Sequence, residues 1–134
     1  MGEDLGGELG PDRTLLLVDD DEPFVKRLAK AMEKRGFIPE TAESVAAGKA
    51  IAQTRPPAYA VVDLRLEDGN GLDVVETLRE RRPDCRIVVL TGYGAIATAV
   101  AAVKIGATDY LSKPADANDV TNALLSRTET LPAP

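Results

Sequence analysis

Tyr59-Ala60-Val61-Val62-Asp63-Leu64 decides how this chain is read: an apolar run ends at a carboxylate and opens into the glycine-punctuated loop Arg65-Leu66-Glu67-Asp68-Gly69-Asn70-Gly71. Continuous apolar runs mark strands buried on both faces of a sheet, and in open α/β sheets the ligand crevice lies beyond the carboxyl ends of the strands. Asp63 therefore stands where a nucleophile would act. Three further strand-like runs end in polar groups: Thr14 to Val18 before Asp19-Asp20-Asp21, Arg86 to Leu90 before Thr91-Gly92, and Thr108 to Ser112 before Lys113-Pro114. Acids, a hydroxyl and an amine gather on one edge.

Outward from that stretch, glycine, proline and polar punctuation divides the chain into apolar runs that alternate with helical patterns. The spacing predicts strands near 14–18, 37–42, 59–63, 86–90 and 108–112, and helices near 22–35, 44–54, 70–82, 95–105 and 116–128. The first helix carries Phe24, Leu28, Ala31 and Met32 on one side and Lys26, Lys30, Lys34 and Arg35 elsewhere, with Gly36 placed to stop it. The third carries Leu72, Val75 and Leu78 and is closed by Pro83. Such βα repetition implies an α/β fold: a doubly wound parallel sheet of the flavodoxin-like (βα)5 kind, strand order 2-1-3-4-5, with right-handed crossovers. That order sets strands one and three side by side and brings Asp19, Asp20 and Asp63 together. The expected organisation is an acidic disordered tail over 1–12, one domain over 13–128, and the start of a linker over 129–134 leading to a further output domain.

A chain of 134 residues suits one domain with a sizeable core. The net charge is −6, and residues 1–12 account for four of the six negative charges through Glu3, Asp4, Glu8 and Asp12 with no base. Binding nucleic acid through its phosphates calls for clustered Lys and Arg, which these residues lack. A single cysteine, Cys85, excludes an internal disulfide, and with no histidine a zinc site or a histidine general base is excluded. Cys85, just before the fourth strand, reads as a small structural residue rather than a redox sensor. The first residues lack the basic and apolar regions of a signal peptide, so the expected location is cytoplasmic.

In the acidic run, Asp21 reads as the N-cap of the first helix, with Pro23 tolerated in its first turn. Asp19 and Asp20 lie closer to the strand end, and crowding them against Asp63 is repulsive unless a cation shares the pocket, for which an oxygen-lined Mg²⁺ site is suited. Lys113 could balance that charge and grip a phosphoryl oxygen, and the Lys113-Pro114 bond is a candidate cis peptide. Gly92 beside Thr91 leaves room for a bulky anion. A metal-dependent phosphatase of similar architecture is the rival reading, but no Gly-x-x-x-x-Gly-Lys-Ser/Thr loop is present and Asp63 is followed by Leu64-Arg65 rather than by a second aspartate.

Leu-Leu-Val-Asp-Asp at 16–20, Val-Val-Asp-Leu-Arg-Leu with Gly71 eight residues after its aspartate, Val-Leu-Thr-Gly at 89–92 and Asp-Tyr-Leu-Ser-Lys-Pro at 109–114 together resemble the receiver domain of two-component response regulators. The resemblance spans roughly 14 to 127. More narrowly, the segments 65–72 and 91–106 look like the RegA/PrrA/ActR group of redox-responsive regulators. The resemblance implies that Asp63 is the phosphoacceptor and that Asp20, Asp63 and the Arg65 backbone carbonyl bind Mg²⁺ with help from Asp19. It further implies that Lys113 holds the phosphoryl group and that Thr91 and Tyr110 form a switch pair. Arg65 and Tyr93 occupy positions that modulate phosphoryl lifetime in the family. Glu67 departs from it, since many receivers carry proline there, which leaves the stiffness of the loop open.

By the same resemblance the phosphodonor is a sensor histidine kinase, whose histidine must come from that partner. The output is a transcriptional switch, and DNA is contacted only through an absent C-terminal domain. The helix 95–105 is apolar almost all round, which alanine's helix propensity alone could account for. The alternative is a contact surface, and a homodimer face built from that helix, the strand 108–112 and the helix 116–128 is expected.

Overall fold

The computed structural model describes residues 11–92 and 96–125. In chain order these form β1 (Thr14–Val18), α1 (Glu22–Lys34), β2 (Ile38–Ala42), α2 (Val45–Thr54), β3 (Tyr59–Asp63), β4 (Arg65–Leu66), β5 (Gly69–Asn70), α3 (Leu72–Arg81), β6 (Arg86–Thr91), α4 (Ile96–Lys104), β7 (Asp109–Ser112) and α5 (Ala117–Leu125). Five strands make one parallel sheet in the order β2-β1-β3-β6-β7, which is the expected 2-1-3-4-5 once the small β4-β5 hairpin is set aside. Among the described residues no helix is long and apolar enough to cross a membrane.

Side chains alternate across a strand, so a sheet covered on both faces splits its apolar residues into two cores. Leu15, Leu17, Val61, Val88 and Leu90 face α1 and α5, where Val25, Leu28, Met32, Val120 and Leu124 meet them. Leu16, Val18, Val62, Ile87 and Val89 face α2, α3 and α4, packing with Val45, Val74, Val75, Leu78 and Ala102. Every residue of β3 is buried, as its unbroken apolar run required, whereas most of β2 is exposed or half-exposed, as befits an edge strand.

Helix ends follow local chemistry. Asp21 caps α1, its carboxylate accepting from Phe24 N–H at 3.2 Å, and Gly36 takes φ = +100° just beyond the helix, a conformation that favours glycine. Asp116 and Asp119 exchange side-chain bonds to each other's N–H at the start of α5. The third helix starts at Leu72 rather than at 70, because Asn70 and Gly69 pair with Arg65 and Leu66 in the hairpin and Asn70 Oδ1 accepts from Leu72 N–H at 2.9 Å. Its buried stripe is Val74, Val75, Thr77 and Leu78, with Leu72 only half-buried. Asp12, counted with the acidic tail in the sequence reading, accepts from Thr14 N–H and Oγ1–H and pairs with Arg82. The remainder of the tail (1–10), the ends of the two last helices expected at 95 and 126–128, and the expected linker 129–134 lie outside the described residues.

Candidate functional site

β1 and β3 are neighbours, with Val18 opposite Val62, so the residues that follow them emerge side by side at the carboxyl edge of the sheet. Carboxylate oxygens of Asp19, Asp20 and Asp63 lie within 4.8 Å of one another. Asp19 and Asp63 are buried, at 2% and 5% exposure, while Asp20 is the most open of the three. Each carboxylate is held by a backbone donor: Asp19 Oδ1 accepts from Asp21 N–H (2.9 Å), Asp63 Oδ1 from Arg65 N–H (3.0 Å) and Asp20 Oδ2 from Glu67 N–H (3.2 Å).

Lys113, delivered by the end of β7, completes the cluster. Its ammonium donates to Asp63 Oδ2 at 2.9 Å, lies 3.0 Å from Asp19 Oδ2 as an ion pair, and sits 5.3 Å from the centre of the Phe24 ring. Burial pulls the Lys113 pKa down, but its hydrogen bonds to Asp63 and Asp19 outweigh that and hold it above the ordinary lysine value. For Asp19 desolvation dominates and raises the pKa, with the Asp63 charge adding to it. The Lys113-Pro114 bond is cis, as the sequence allowed.

The donor set fits a hard divalent cation. Asp19 Oδ2 is buried with the Lys113 ammonium as its counter-charge, the Asp20 and Asp63 carboxylates converge on the same pocket, and three negative charges face one ammonium.

Thr91 ends β6 and is 3% exposed, its hydroxyl donating to Leu111 O at 3.4 Å. Lys113 N–H donates to Thr91 O at 2.7 Å, which ties these two strand ends together. Among the described residues, a Cβ added to Gly92 would meet nothing within 4 Å, so the space beside Thr91 is open. Tyr110 is not brought into the cluster. It stands on β7 opposite Val89 and is 38% exposed. Tyr93 lies outside the described residues. Cys85 is buried among the core residues, and burial pushes its thiol up to about 12, which matches a structural rather than a reactive role.

Two features escaped the sequence reading. Gly71 lies against the backbone of β3: a Cβ there would collide with Asp63 O and come within 2.9 Å of Val62 Cγ1. Glycine punctuation hinted at this, but its cause is close approach rather than a left-handed turn, since φ is −60°. Glu67, whose identity left the loop's stiffness open, supplies an N–H to Asp20 that proline at this position could not.

Residues 15–125 match the family described as response regulator receiver domain. The chain belongs to this family. It is 86% identical over its whole length to the photosynthetic apparatus regulatory protein RegA of Cereibacter sphaeroides, spanning 73% of that protein. It is 66% identical over 119 residues, 89% of this chain and 61% of the relative, to the acid tolerance regulatory protein ActR of Rhizobium meliloti. Among solved structures it resembles a response regulator from Burkholderia pseudomallei with a phosphorylated aspartic acid, calcium ion and citrate. That match has a TM-score of 0.81 and 40% identity, covering 88% of this chain and 68% of the other. The receiver therefore groups with RegA and ActR, and it is a signalling domain of a two-component response regulator rather than a classical enzyme. Receiver domains generally bind Mg²⁺ in an acidic pocket of this kind, and the cluster at Asp19, Asp20 and Asp63 fits that role.

Proposed function

We propose that Asp63 accepts a phosphoryl group from the phosphohistidine of a sensor histidine kinase and that the resulting acyl phosphate switches the output of a cytoplasmic, redox-responsive transcriptional regulator. The observation that carries this is the grouping of a buried, β3-terminal Asp63 with two further carboxylates and the Lys113 ammonium in one pocket. The phosphorylated aspartate in the structurally similar Burkholderia pseudomallei protein supports the same assignment.

Asp63 Oδ attacks phosphorus in line; the phosphorus–nitrogen bond breaks, its electron pair returns to the imidazole, and an aspartyl phosphate forms. Asp19, Asp20 and Asp63, with the Arg65 carbonyl, would hold Mg²⁺. When bound, the ion offsets negative charge on the phosphoryl oxygens. Lys113 is released from its ion pairs to hold a phosphoryl oxygen, and the fixed N–H of Arg65 keeps the nucleophile aimed. The new dianion gives the Thr91 hydroxyl a stronger acceptor than Leu111 O, and Tyr110 can then leave its exposed position for the space Thr91 vacates. Small phosphodonors serve in place of the kinase, and hydrolysis of the acyl phosphate resets the domain.

Val100 and Val103 on α4, 44% and 42% exposed, and Tyr110 on β7 are exposed large apolar residues, which supports a homodimer face on α4, β7 and α5. The Cereibacter sphaeroides relative is longer than the segment matched here, which spans 73% of it, and that supports an output domain beyond the receiver.

Intact mass after incubation with acetyl phosphate and Mg²⁺ tests the reading. One phosphoryl gain, abolished by Asp63→Ala and by EDTA, is expected. A gain that survives Asp63→Ala overturns the assignment of Asp63.

A further inference from the structure

Granted the Mg²⁺-dependent phosphoacceptor function proposed above, we propose that Asp68 is a positioning residue for the acidic site, clamping the β4-β5 hairpin to α2 so that the hairpin's amides hold Asp63 and Asp20 in place.

The hairpin follows the phosphoacceptor directly and touches two of the three acids. Arg65 N–H donates to Asp63 Oδ1 and Glu67 N–H to Asp20 Oδ2, so alternate amides of one short segment each carry a carboxylate. A hairpin with only two residues per strand has little stability of its own in water. Leu66 anchors one side by burying its side chain in the core with Val45. Asp68 anchors the other. Its two oxygens accept from Val45 N–H at 2.8 Å and Ala46 N–H at 3.2 Å, the first amides of α2, which have no partner within the helix. These bonds hold the Asp68 carboxyl below its usual range. Gly69 follows at φ = +152°, where the chain turns back to pair Arg65 with Asn70 and Leu66 with Gly69.

The N-terminus of α2 does not itself require this partner. Ser44 is its own N-cap, with Oγ accepting from Ala47 N–H at 3.0 Å and its carbonyl from Gly48 N–H. An ordinary cap could come from within the β2-α2 connection. A carboxylate reaching 23 positions back along the chain to the same helix end therefore ties two loops together as well as capping.

Ser44 supplies the control that separates the two roles. Ser44→Ala weakens the same helix terminus without touching the hairpin, whereas Asp68→Ala releases the hairpin. Mg²⁺ affinity is read by isothermal titration of the full chain, and amide hydrogen exchange is followed at Arg65 and Glu67. Asp68→Ala is expected to raise the Mg²⁺ dissociation constant about tenfold, the loss typical of a group supporting metal ligands, and to speed exchange at Glu67. Asp68→Asn, which can still accept from one amide, falls between, and carries the comparison if Asp68→Ala does not fold. Ser44→Ala binds as the wild type does. Wild-type affinity and protection in both Asp68 variants overturn the proposal, as does equal weakening by Ser44→Ala. A wild-type protein that takes up no Mg²⁺ overturns the phosphoacceptor reading itself.

Discussion

Gly71→Ala separates two physical effects of opposite sign. Gly71 has φ = −60° and ψ = −13°, a conformation alanine adopts freely. On backbone grounds alone the substitution should stabilise by roughly 0.4–1 kcal/mol through the unfolded chain. Steric contact argues the other way: the new Cβ would lie 2.9 Å from Val62 Cγ1 and 3.1 Å from the Asp63 carbonyl carbon, with Asp63 O nearer still. Against an optimal carbon–carbon separation of about 3.5–4.0 Å, neighbours must give by roughly 0.6 Å or more. Neither can do so cheaply, because both belong to the fully buried β3. Overpacking of this kind costs about 1–3 kcal/mol, and a clash with buried backbone stands at the upper end of that range, so after the backbone gain the net expectation is a loss of about 2 kcal/mol. In urea denaturation followed by far-ultraviolet circular dichroism, a slope of about 2 kcal/mol per M turns that into a midpoint lowered by about 1 M. Because the displaced carbonyl belongs to Asp63, acetyl phosphate loading should slow as well. A midpoint equal to or above that of the wild type refutes the close-approach argument.

Asp19→Asn should stabilise the protein in Mg²⁺-free buffer at neutral pH, by on the order of 1 kcal/mol, because burial and the Asp63 charge disfavour the Asp19 carboxylate by more than Lys113 repays. Mg²⁺ should raise the urea midpoint of the wild type and leave that of the variant unchanged, which denaturation with and without the ion would reveal. Asp12 provides a pH dependence of the opposite sense. Its bonds to Thr14, and then to Arg82, lower its pKa from 3.8 to about 2. That stabilisation is present above 3.8 and is lost as pH falls toward 2. Asp12→Ala should therefore cost no more than about 1 kcal/mol at pH 7, given the exposure of the pair, and nothing below pH 2 in denaturation curves taken across that range.

The fold was legible because the apolar runs of β1, β3 and β6 are long enough to announce buried strands, and each is followed by residues that cap or break a helix. The meeting of Asp19, Asp20 and Asp63 with Lys113 was legible for the same reason, since each sits at a strand end and topology does the rest. What stayed hidden depends on contacts between segments far apart in sequence. The β4-β5 hairpin has two residues per strand and so no periodicity to read, and its formation moves the start of α3 to Leu72. Asp68 looked like one more loop acid, because nothing near it in sequence names α2 as its partner. Leu72, Val75 and Leu78 pack on the core as the apolar pattern indicated, and the burial of Thr77 beside them is a polar addition that the pattern could not show.

The graded depth of the three acids also bears on kinetics. Asp19 and Asp63 are buried, and Asp20 is the most open of the three. A divalent ion arriving from solvent therefore meets the Asp20 carboxylate first and the two buried carboxylates after it.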